Sequence, residues 1–212
     1  MKERIRRIFA ELPRCKVFAD IGCDHGLITK QMIEAKRCEK AIISDVSKEC
    51  LKKAQTLLYE YIEKGVCSAV VSNGFDNIDS CDLALIAGMG GEEIIAILKK
   101  SAFLPQNLAL QPMKNVDKVR VEVVKLGYRI DKDFVFKTDG KFYDMLVLSL
   151  GEDSLTEEEI LFGRTNIYEK SPAFLERLAV EKKKTLTFLS MTMPSAKKEQ
   201  LTNYLKALEK YV

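Results

Sequence analysis

The fold is decided by one stretch near the start of the chain, residues 17–27, which reads VFADIGCDHGL. A short apolar run that ends in Asp20 is typical of a buried parallel strand. Gly22 permits a sharp turn that a ligand can approach closely, and a helix is predicted to begin near Gly26. Such a turn lies at the carboxyl end of the strand, where open α/β sheets bind their ligands. Because Asp20 and Asp24 flank the turn, we expect it to repel a pyrophosphate and to accept an amine or a sulfonium.

Strands and helices alternate through the first 151 residues, which predicts a parallel sheet with right-handed crossovers. Strands are predicted over residues 16–21, 41–45, 66–71, 82–87 and 108–111, and helices over residues 2–11, 26–36, 47–64, 92–100 and 116–126. Two more alternating stretches, 128–136 and 142–150, are joined through Asp139-Gly140, a dipeptide typical of tight hairpins. We therefore expect an α/β fold whose sheet finishes with an antiparallel pair.

The character of the chain changes after Gly151, because no strand pattern follows. Large apolar residues recur there at helical spacing, interrupted at Ser171-Pro172 and at Met193-Pro194-Ser195. This spacing predicts two or three amphipathic helices, packed as an antiparallel hairpin that leans on the sheet. We expect two domains, an α/β domain over residues 1–151 and a helical domain over residues 152–212.

The composition argues against several kinds of protein. No apolar run reaches the length of about 18 residues that a membrane span needs, and no apolar core follows the basic N-terminus, as a signal peptide would require. The six cysteines form no C-x-x-C pair and there is a single histidine, so no metal site is expected. We expect free thiols and a cytoplasmic protein. The net charge of +3 permits a nucleic-acid partner without requiring one.

The second predicted strand also ends in an acid, Asp45. It follows Asp20 by about 25 residues, near the spacing at which an acid meets ribose hydroxyls in nucleotide-binding sheets. A carboxylate can accept both hydroxyl protons of a ribose. The alternative is an acid at the start of a helix, since Asp45 precedes Ser47, a typical N-cap residue.

The third predicted strand is followed by Asn73-Gly74-Phe75-Asp76. A polar side chain beside an aromatic ring suits an adenine, whose edge would meet Asp76 or a backbone amide and whose face would meet Phe75. A plain Asn-Gly turn is the alternative.

The fourth predicted strand is followed by a glycine-rich segment, Ala87-Gly88-Met89-Gly90-Gly91. Packing of a helix on a strand explains one of these glycines but hardly three. An open backbone at this edge predicts a place where a target base can approach a bound cofactor.

His25 is the only histidine of the chain. A general base needs an orienting partner, and Asp24 is adjacent to His25 in sequence only. A histidine that caps a helix or packs against it is the favoured alternative.

Five segments occur in a fixed order along the chain: Asp20-Ile21-Gly22-Cys23-Asp24-His25, Ala87-Gly88-Met89-Gly90-Gly91, Leu110-Gln111-Pro112, Leu126-Gly127-Tyr128 and Lys141-Phe142-Tyr143. In these segments and their order the chain resembles the bacterial tRNA (adenine-N1)-methyltransferases of the TrmK type, which act on adenosine 22. The resemblance covers essentially the whole chain. It implies a Rossmann-like class I sheet that binds S-adenosyl-L-methionine (SAM), followed by a small coiled-coil-like helical domain that serves as a tRNA-binding arm.

The resemblance also implies roles for individual residues. Catalytic roles fall to Asp24, His25 and Tyr143. Cofactor binding falls to Asp20, Gly22, Asp45, Val46, Asn73, Gly74, Phe75, Ala87, Gly88, Met89 and Gly90. Substrate binding falls to Gly91, Gln111, Pro112, Lys114 and Phe142, and no metal is involved. The chain departs from the family at Met113, where an asparagine is usual, and at Thr29, where a proline is common. If that asparagine touches the target base, its role passes here to a neighbour such as Lys114 or Asn115, or the activity is altered.

The implied reaction needs positioning more than strong acid–base catalysis, because adenine N1 already carries a lone pair. N1 lies on the pairing edge of the base, so the adenine must be turned into a pocket, where Tyr143 or Phe142 could stack on it. An acid such as Asp24 could stabilise the cationic product ring.

Basic residues on both predicted domains are candidates for contacts with the tRNA backbone. They are Arg4, Arg6, Arg7, Lys36, Arg37, Lys114, Lys118 and Arg120 on the sheet domain, and Lys182, Lys183, Lys184, Lys197 and Lys198 on the helices. A solvated helix face is the alternative for each cluster. We expect a monomer, with a homodimer left open.

Other functions fit the same pattern. One alternative is a SAM-dependent methyltransferase that acts on a small molecule or a protein, with the helical arm as a lid or a dimerisation element. Another is a non-catalytic binding module with a vestigial cofactor site. An NAD oxidoreductase is disfavoured, because the first turn lacks G-x-G-x-x-G and is acidic.

Overall fold

The computed structural model describes residues 2–212, and its centre is a sheet of seven strands. The strands are β1 (Val17–Ile21), β2 (Lys40–Asp45), β3 (Cys67–Val71), β4 (Leu83–Met89), β5 (Asn107–Pro112), β6 (Tyr128–Thr138) and β7 (Lys141–Leu150). Their order across the sheet is β3-β2-β1-β4-β5-β7-β6. Strands β1 to β5 pair in parallel, whereas β7 pairs antiparallel with both β5 and β6. The predicted α/β sheet with a terminal antiparallel pair is confirmed.

Ten helices accompany the sheet within the described residues. They are α1 (Glu3–Glu11), α2 (Leu27–Glu34), α3 (Lys48–Leu57), α4 (Tyr59–Glu63), α5 (Gly91–Lys100), α6 (Val116–Lys125), α7 (Glu157–Phe162), α8 (Arg164–Glu169), α9 (Pro172–Leu189) and α10 (Ser195–Leu208). No helix among residues 2–212 is both long and apolar enough to cross a bilayer.

The two faces of the sheet bury separate cores, as the two-residue period of a strand requires. On β1, Phe18 packs with residues of α1, α2 and α3 in one cluster. Its neighbour Ala19 packs with residues of α5 and α6 in the other. Helices therefore cover both faces, and the carboxyl ends of the parallel strands are left to form a ligand site.

Local sequence explains where most elements begin and end. The Ser47 hydroxyl accepts from the amide of Cys50 at 3.2 Å and so starts α3, as predicted. Asp139 and Gly140 turn β6 into β7 with φ values of +50° and +72°, the geometry of a two-residue hairpin loop. The helix predicted over residues 47–64 is instead two helices, because the chain departs from helical geometry at Leu58, where ψ is 11°.

Four helices follow the sheet, where two or three were predicted. The last two run antiparallel: the rings of Phe174 and Tyr211 lie 6.3 Å apart, and the Tyr204 hydroxyl donates to Glu181 nearer the connecting loop. Phe162 on α7 joins the same small apolar cluster. The division into two domains at residue 151 stays a prediction.

A buried polar network holds these helices against the sheet. The guanidinium of Arg120 on α6, only 1% exposed, donates to both carboxylate oxygens of Asp133 on β6, at 2.6 and 3.0 Å. The same guanidinium donates to the carbonyls of Ile160 and Leu161 on α7. Sheet and helices therefore share one charged, fully buried contact, in which each polar group has a partner.

Candidate functional site

A cleft of about 380 Å³ lies at the carboxyl edge of the sheet, above the ends of β1, β2 and β4. Of the residues predicted to bind or react, those that line it are Asp20, Gly22, Asp24, His25, Asp45, Val46, Asn73, Gly74, Ala87, Gly88 and Met89. Residues from four separate predicted motifs thus meet in one space. Arg4, Ile5, Ile8, Ile21, Cys23, Leu27, Ile28, Ser72, Glu93 and Ile97 also line the cleft and were not predicted to bind the cofactor.

The turn between β1 and α2 is tied to the end of β2. The amides of Gly22 and Cys23 both donate to the carbonyl of Ser44, at 2.8 and 3.0 Å. Gly22 has a φ of +71°, which a side chain would strain, and a Cβ there would meet the terminal methyl of Met89 at 2.1 Å. A glycine at this position therefore allows the turn to pack closely against Met89 at the base of the cleft.

Asp20 lies at the end of β1 and is almost fully buried, with 5% of the residue exposed. Its carboxylate accepts a 2.7 Å hydrogen bond from the hydroxyl of Thr29. Burial raises the pKa of Asp20 to about 6, and the Thr29 hydrogen bonds only partly oppose that rise. Because the ionised carboxylate is costly to bury, a cationic ligand beside it is favoured. Thr29 supplies the orienting contact.

Asp24 and His25 lie at the mouth of the same turn. The imidazole Nε2 is 3.7 Å from Asp24 Oδ1, and the two side chains are 55% and 68% exposed, respectively. Asp24 has a φ of +49°, which aspartate tolerates better than most residues. The pair is too exposed and too far apart to act as a buried, oriented acid–base couple.

Asp45 presents a carboxylate at the end of β2. Its Oδ1 accepts from the amide of Ser47 at 2.8 Å, while Ser47 itself caps α3. Asp45 is therefore not needed as the cap, and its second oxygen has no hydrogen-bond partner within residues 2–212 and can accept from a ligand. Val46 follows with 67% of its surface exposed beside the cleft.

Phe75 does not reach the cleft, although the sequence placed it over an adenine. Its side chain is 4% exposed and packs edge-on against Phe103, with ring centroids 5.4 Å apart. An apolar ring next to a strand end gains more from the core than from a half-open site. Asp76 also turns away and pairs with Lys100. Only Asn73 and Gly74 of this motif line the cleft.

The glycines from the end of β4 to the start of α5 serve two different purposes. Gly88, with a φ of +82°, lines the cleft. Gly91 donates its amide to the Lys114 carbonyl at 3.0 Å, and a Cβ on Gly91 would lie 2.6 Å from that carbonyl oxygen. Close packing against the loop after β5 therefore explains Gly91. Gly90 does not line the cleft either, and its missing Cβ leaves room for the Lys114 side chain at 3.1 Å.

The predicted substrate residues Gln111 and Phe142 and the predicted catalytic residue Tyr143 lie at the same sheet edge but outside the cleft lining. Gln111 is fully buried and its amide donates to the Pro112 carbonyl at 3.0 Å. Tyr143 stacks on Phe136 with ring centroids 5.5 Å apart. Phe142 lies farther toward the hairpin turn, 5.4 Å from the Lys137 ammonium. Tyr143 and Gln111 are therefore near the cleft, whereas Phe142 is peripheral to it.

Several of the basic residues suggested for tRNA contacts have other partners, among them Arg6, which pairs with Glu3 at 2.6 Å. Arg120 is buried against Asp133, so its prediction as an RNA contact is wrong. Arg37 donates to the carbonyls of Phe9 and Leu12, at 2.9 Å each, and Lys118 pairs with Glu92 at 2.6 Å. The sequence shows where a basic residue stands, but it does not show whether a carboxylate or a carbonyl already pairs with that residue in the fold.

The donor set of the cleft fits SAM. Asp45 offers a free carboxylate oxygen to a ribose, and Asp20 offers a buried carboxylate to a positive group. The backbone at Gly22, Gly74 and Gly88 has φ values of +71°, +64° and +82°, and it carries no side chain that would fill the space. The cleft therefore has groups that match the ribose and a positive group of the cofactor.

Known proteins are similar to this chain in sequence and in fold. Residues 1–146 match the model of a family described as a methyltransferase domain. A Mycoplasma pneumoniae protein named "Putative tRNA methyltransferase" is 30% identical over 175 residues, which span 77% of this chain and 79% of that protein. The tRNA (adenine(22)-N(1))-methyltransferase of Bacillus subtilis is 25% identical over 224 residues, spanning 98% of this chain and 92% of that one. The solved structure of M. capricolum TrmK with S-adenosyl-homocysteine superposes with a TM-score of 0.90 at 21% identity, covering 100% of this chain and 97% of the other, and so shows the same fold. The chain therefore belongs to the methyltransferase domain family, and the relatives it matches are named as tRNA methyltransferases.

Proposed function

We propose that this protein transfers the methyl group of SAM to N1 of an adenine in tRNA, at adenosine 22. The observation that carries the proposal is the cleft, in which acids at the ends of β1 and β2 lie beside the glycine edge of β4. The name of the Bacillus subtilis relative supports the choice of base and position. We further propose that the protein acts as a monomer in the cytoplasm.

Residues on the cleft floor hold the cofactor in this proposal. Asp20 and the Gly22 turn bind its methionine end, and Asp45 accepts from its ribose hydroxyls. Asn73 and the backbone at Gly74 hold the adenine of the cofactor, with Ile97 as the apolar contact on α5. Phe75 has no part in this site, because its ring is committed to the core.

Bound SAM supplies an electrophilic methyl group, and the protein has only to place the acceptor in line with it. Adenine N1 has a lone pair ready, so the reaction does not depend on a strong base such as an oriented histidine. The base enters over Gly88 and Met89, and Tyr143 lies beside this entrance. Asp24 then stabilises the positive charge that develops on the ring.

The helices after the sheet carry four candidate tRNA contacts that have no acidic partner. Lys183 and Lys184 on α9, and Lys197 and Lys198 on α10, form no ion pair within the described chain. Lys182, by contrast, donates to the carbonyl of Val212. Lysines that are free of acids can neutralise RNA phosphates, and binding should then weaken steeply with salt.

The proposal is tested by incubating the protein with labelled SAM and an unmodified tRNA transcript, followed by nucleoside analysis. We expect label in 1-methyladenosine, and none with a matched transcript in which adenosine 22 is guanosine. Asp24→Ala should abolish transfer while the fold, checked by thermal unfolding, stays intact. Binding of SAM without transfer to any tRNA would refute the proposed substrate and favour a small-molecule enzyme or a binding module.

A further inference from the structure

Helix α1 covers one side of the cleft, although it belongs to none of the strand-end motifs. Arg4, Ile5 and Ile8 line the cleft along one face of this helix. Its far end is fixed by an ion pair of 2.7 Å between Glu11 and Lys132 on β6. The helix is thus held in place, with Arg4 pointing toward the ligand space.

The Arg4 guanidinium lies where the first and last parts of the sheet edge meet. Its Nε donates to Oε1 of Gln111 at 2.9 Å. Its Cζ lies 5.4 Å from the centre of the Tyr143 ring. Its Nη2 is the nearest atom, at 2.8 Å, to the point where a Cβ on Gly88 would be. The guanidinium therefore reaches the glycine edge of the cleft.

The charges of the cleft lining are unequal. Four carboxylates line it, those of Asp20, Asp24, Asp45 and Glu93, whereas Arg4 is the one lysine or arginine among the described lining residues. Within residues 2–212, no carboxylate lies within 4 Å of the Arg4 nitrogens. Its two Nη groups are consequently uncommitted donors in a site that otherwise repels anions.

We propose that Arg4 binds the carboxylate of the methionine part of SAM and that Gln111 is the positioning residue that aims it. SAM carries an amine and a sulfonium, which suit the acids, and a single carboxylate, which does not. A guanidinium fork with free Nη donors matches that carboxylate in charge and shape. This inference rests on the use of SAM in the proposed function but not on the identity of the methyl acceptor.

The burial of Gln111 supports its positioning role. The side chain is fully buried, and its amide group donates to the Pro112 carbonyl at 3.0 Å. That bond orients the side-chain oxygen Oε1 toward Arg4, whose Nε donates a hydrogen bond to it at 2.9 Å. Gln111 thus acts through Arg4 on the cofactor, rather than on the target adenine as the motif suggests.

Two ligands that differ only in the amino-acid part of the cofactor test this proposal. S-adenosyl-homocysteine carries the carboxylate, whereas 5′-methylthioadenosine lacks both the amine and the carboxylate. For Arg4→Ala, calorimetry should show a loss of roughly 10- to 100-fold in affinity for S-adenosyl-homocysteine and an unchanged affinity for 5′-methylthioadenosine. Retained binding of the second ligand also shows that the variant is folded.

Matched variants sharpen the result. Arg6→Ala removes an arginine of the same helix that pairs with Glu3 at the surface, and it should change neither affinity. Gln111→Met should weaken S-adenosyl-homocysteine binding less than Arg4→Ala does, and it should add nothing in the Arg4→Ala background. Additive losses would overturn the positioning role of Gln111.

The other outcomes are equally decisive. An Arg4→Ala protein that binds S-adenosyl-homocysteine normally but needs more tRNA for half-maximal rate would overturn the proposal and assign Arg4 to an RNA phosphate. Equal losses for both ligands would show a general disturbance of the cleft and also overturn it. No tRNA is present in the binding assays, so a failure of the tRNA proposal leaves this inference standing, and the reverse also holds.

Discussion

Replacing Asp20 by asparagine should stabilise the ligand-free protein while weakening its hold on SAM. The carboxyl of Asp20 is 5% exposed, and its main compensation is the 2.7 Å hydrogen bond from the Thr29 hydroxyl. An asparagine can accept the same bond through its side-chain oxygen and carries no charge to desolvate. The substitution also removes the negative charge that suits a cationic cofactor.

The size of the effect follows from the pKa. Burial raises the pKa of Asp20 from 3.8 to about 6, so the folded state binds the proton more tightly than the unfolded state does. Stability from this group is therefore complete below pH 3.8 and is lost as the pH rises toward 6. The ionised carboxyl costs about 3 kcal/mol at pH 7, since each unit of pKa shift is worth about 1.4 kcal/mol. We expect Asp20→Asn to recover about 1–3 kcal/mol, because the new amide N–H groups must find acceptors of their own.

Urea unfolding of both proteins at pH 7 and at pH 4 measures this cost. The variant should be more stable at pH 7, and the advantage should fall below about 1 kcal/mol at pH 4, where the wild-type carboxyl is protonated in the folded state. Thr29→Val serves as the control in the opposite direction, because it removes the hydroxyl that favours the ionised form. A variant that is less stable than the wild type at pH 7, or an advantage that does not change with pH, would refute this account of Asp20.

Three further predictions concern the proton bound by Asp20, the packing at Gly91 and the buried ion pair of Arg120. Binding of SAM near pH 6 should release about half a proton per site, because a bound cation favours the ionised form of Asp20; calorimetry in buffers of different ionisation enthalpy measures it, and Asp20→Asn should abolish it. Gly91→Ala should destabilise the protein by about 1–3 kcal/mol in urea unfolding, although alanine favours helices, because its Cβ would lie 2.6 Å from a backbone carbonyl; an exposed control, Gly140→Ala, meets no atom within 4 Å and should cost only the strain of its φ of +72°. Arg120→Met should cost about 3–5 kcal/mol in the same assay by leaving Asp133 buried and unpaired, and the double variant Arg120→Met/Asp133→Leu should recover most of that loss; equal stability of the single and double variants would contradict it.

The fold could be predicted because its signals are local. The apolar run that ends at Asp20, the cap at Ser47 and the Asp139-Gly140 turn each depend on a few neighbouring residues. The break at Leu58 could not be predicted in the same way, since the helical pattern continues through it. The side chain of Leu58 is fully buried in the core, so its position is set by residues that are distant in sequence.

The site could be predicted only in part, for the same physical reason. Strand ends meet at one edge, so Asp20 and Asp45 could be placed together from their positions alone. The positions of Phe75 and Arg120 could not be predicted, because they depend on partners from elsewhere in the fold. Phe75 packs against Phe103, and Arg120 pairs with Asp133. Spacing thus places backbone and chain direction well, whereas it says little about which side chain a neighbour has already engaged.

The balance of charges in the cleft explains why this sheet takes SAM rather than a dinucleotide. Helix α2 begins at Leu27 after the N-cap residue Gly26, with no side-chain cap, and alone its amides would attract a phosphate. Asp20, Asp24 and Asp45 lie around that helix start, so a pyrophosphate with two negative charges would meet three carboxylates. A zwitterionic cofactor with a sulfonium escapes this repulsion, because its positive groups face the acids and Arg4 is present for its one carboxylate. Selectivity therefore comes from where the acids are placed around a common turn, and a variant that neutralised Asp20 and Asp24 together should lose this discrimination before it loses the fold.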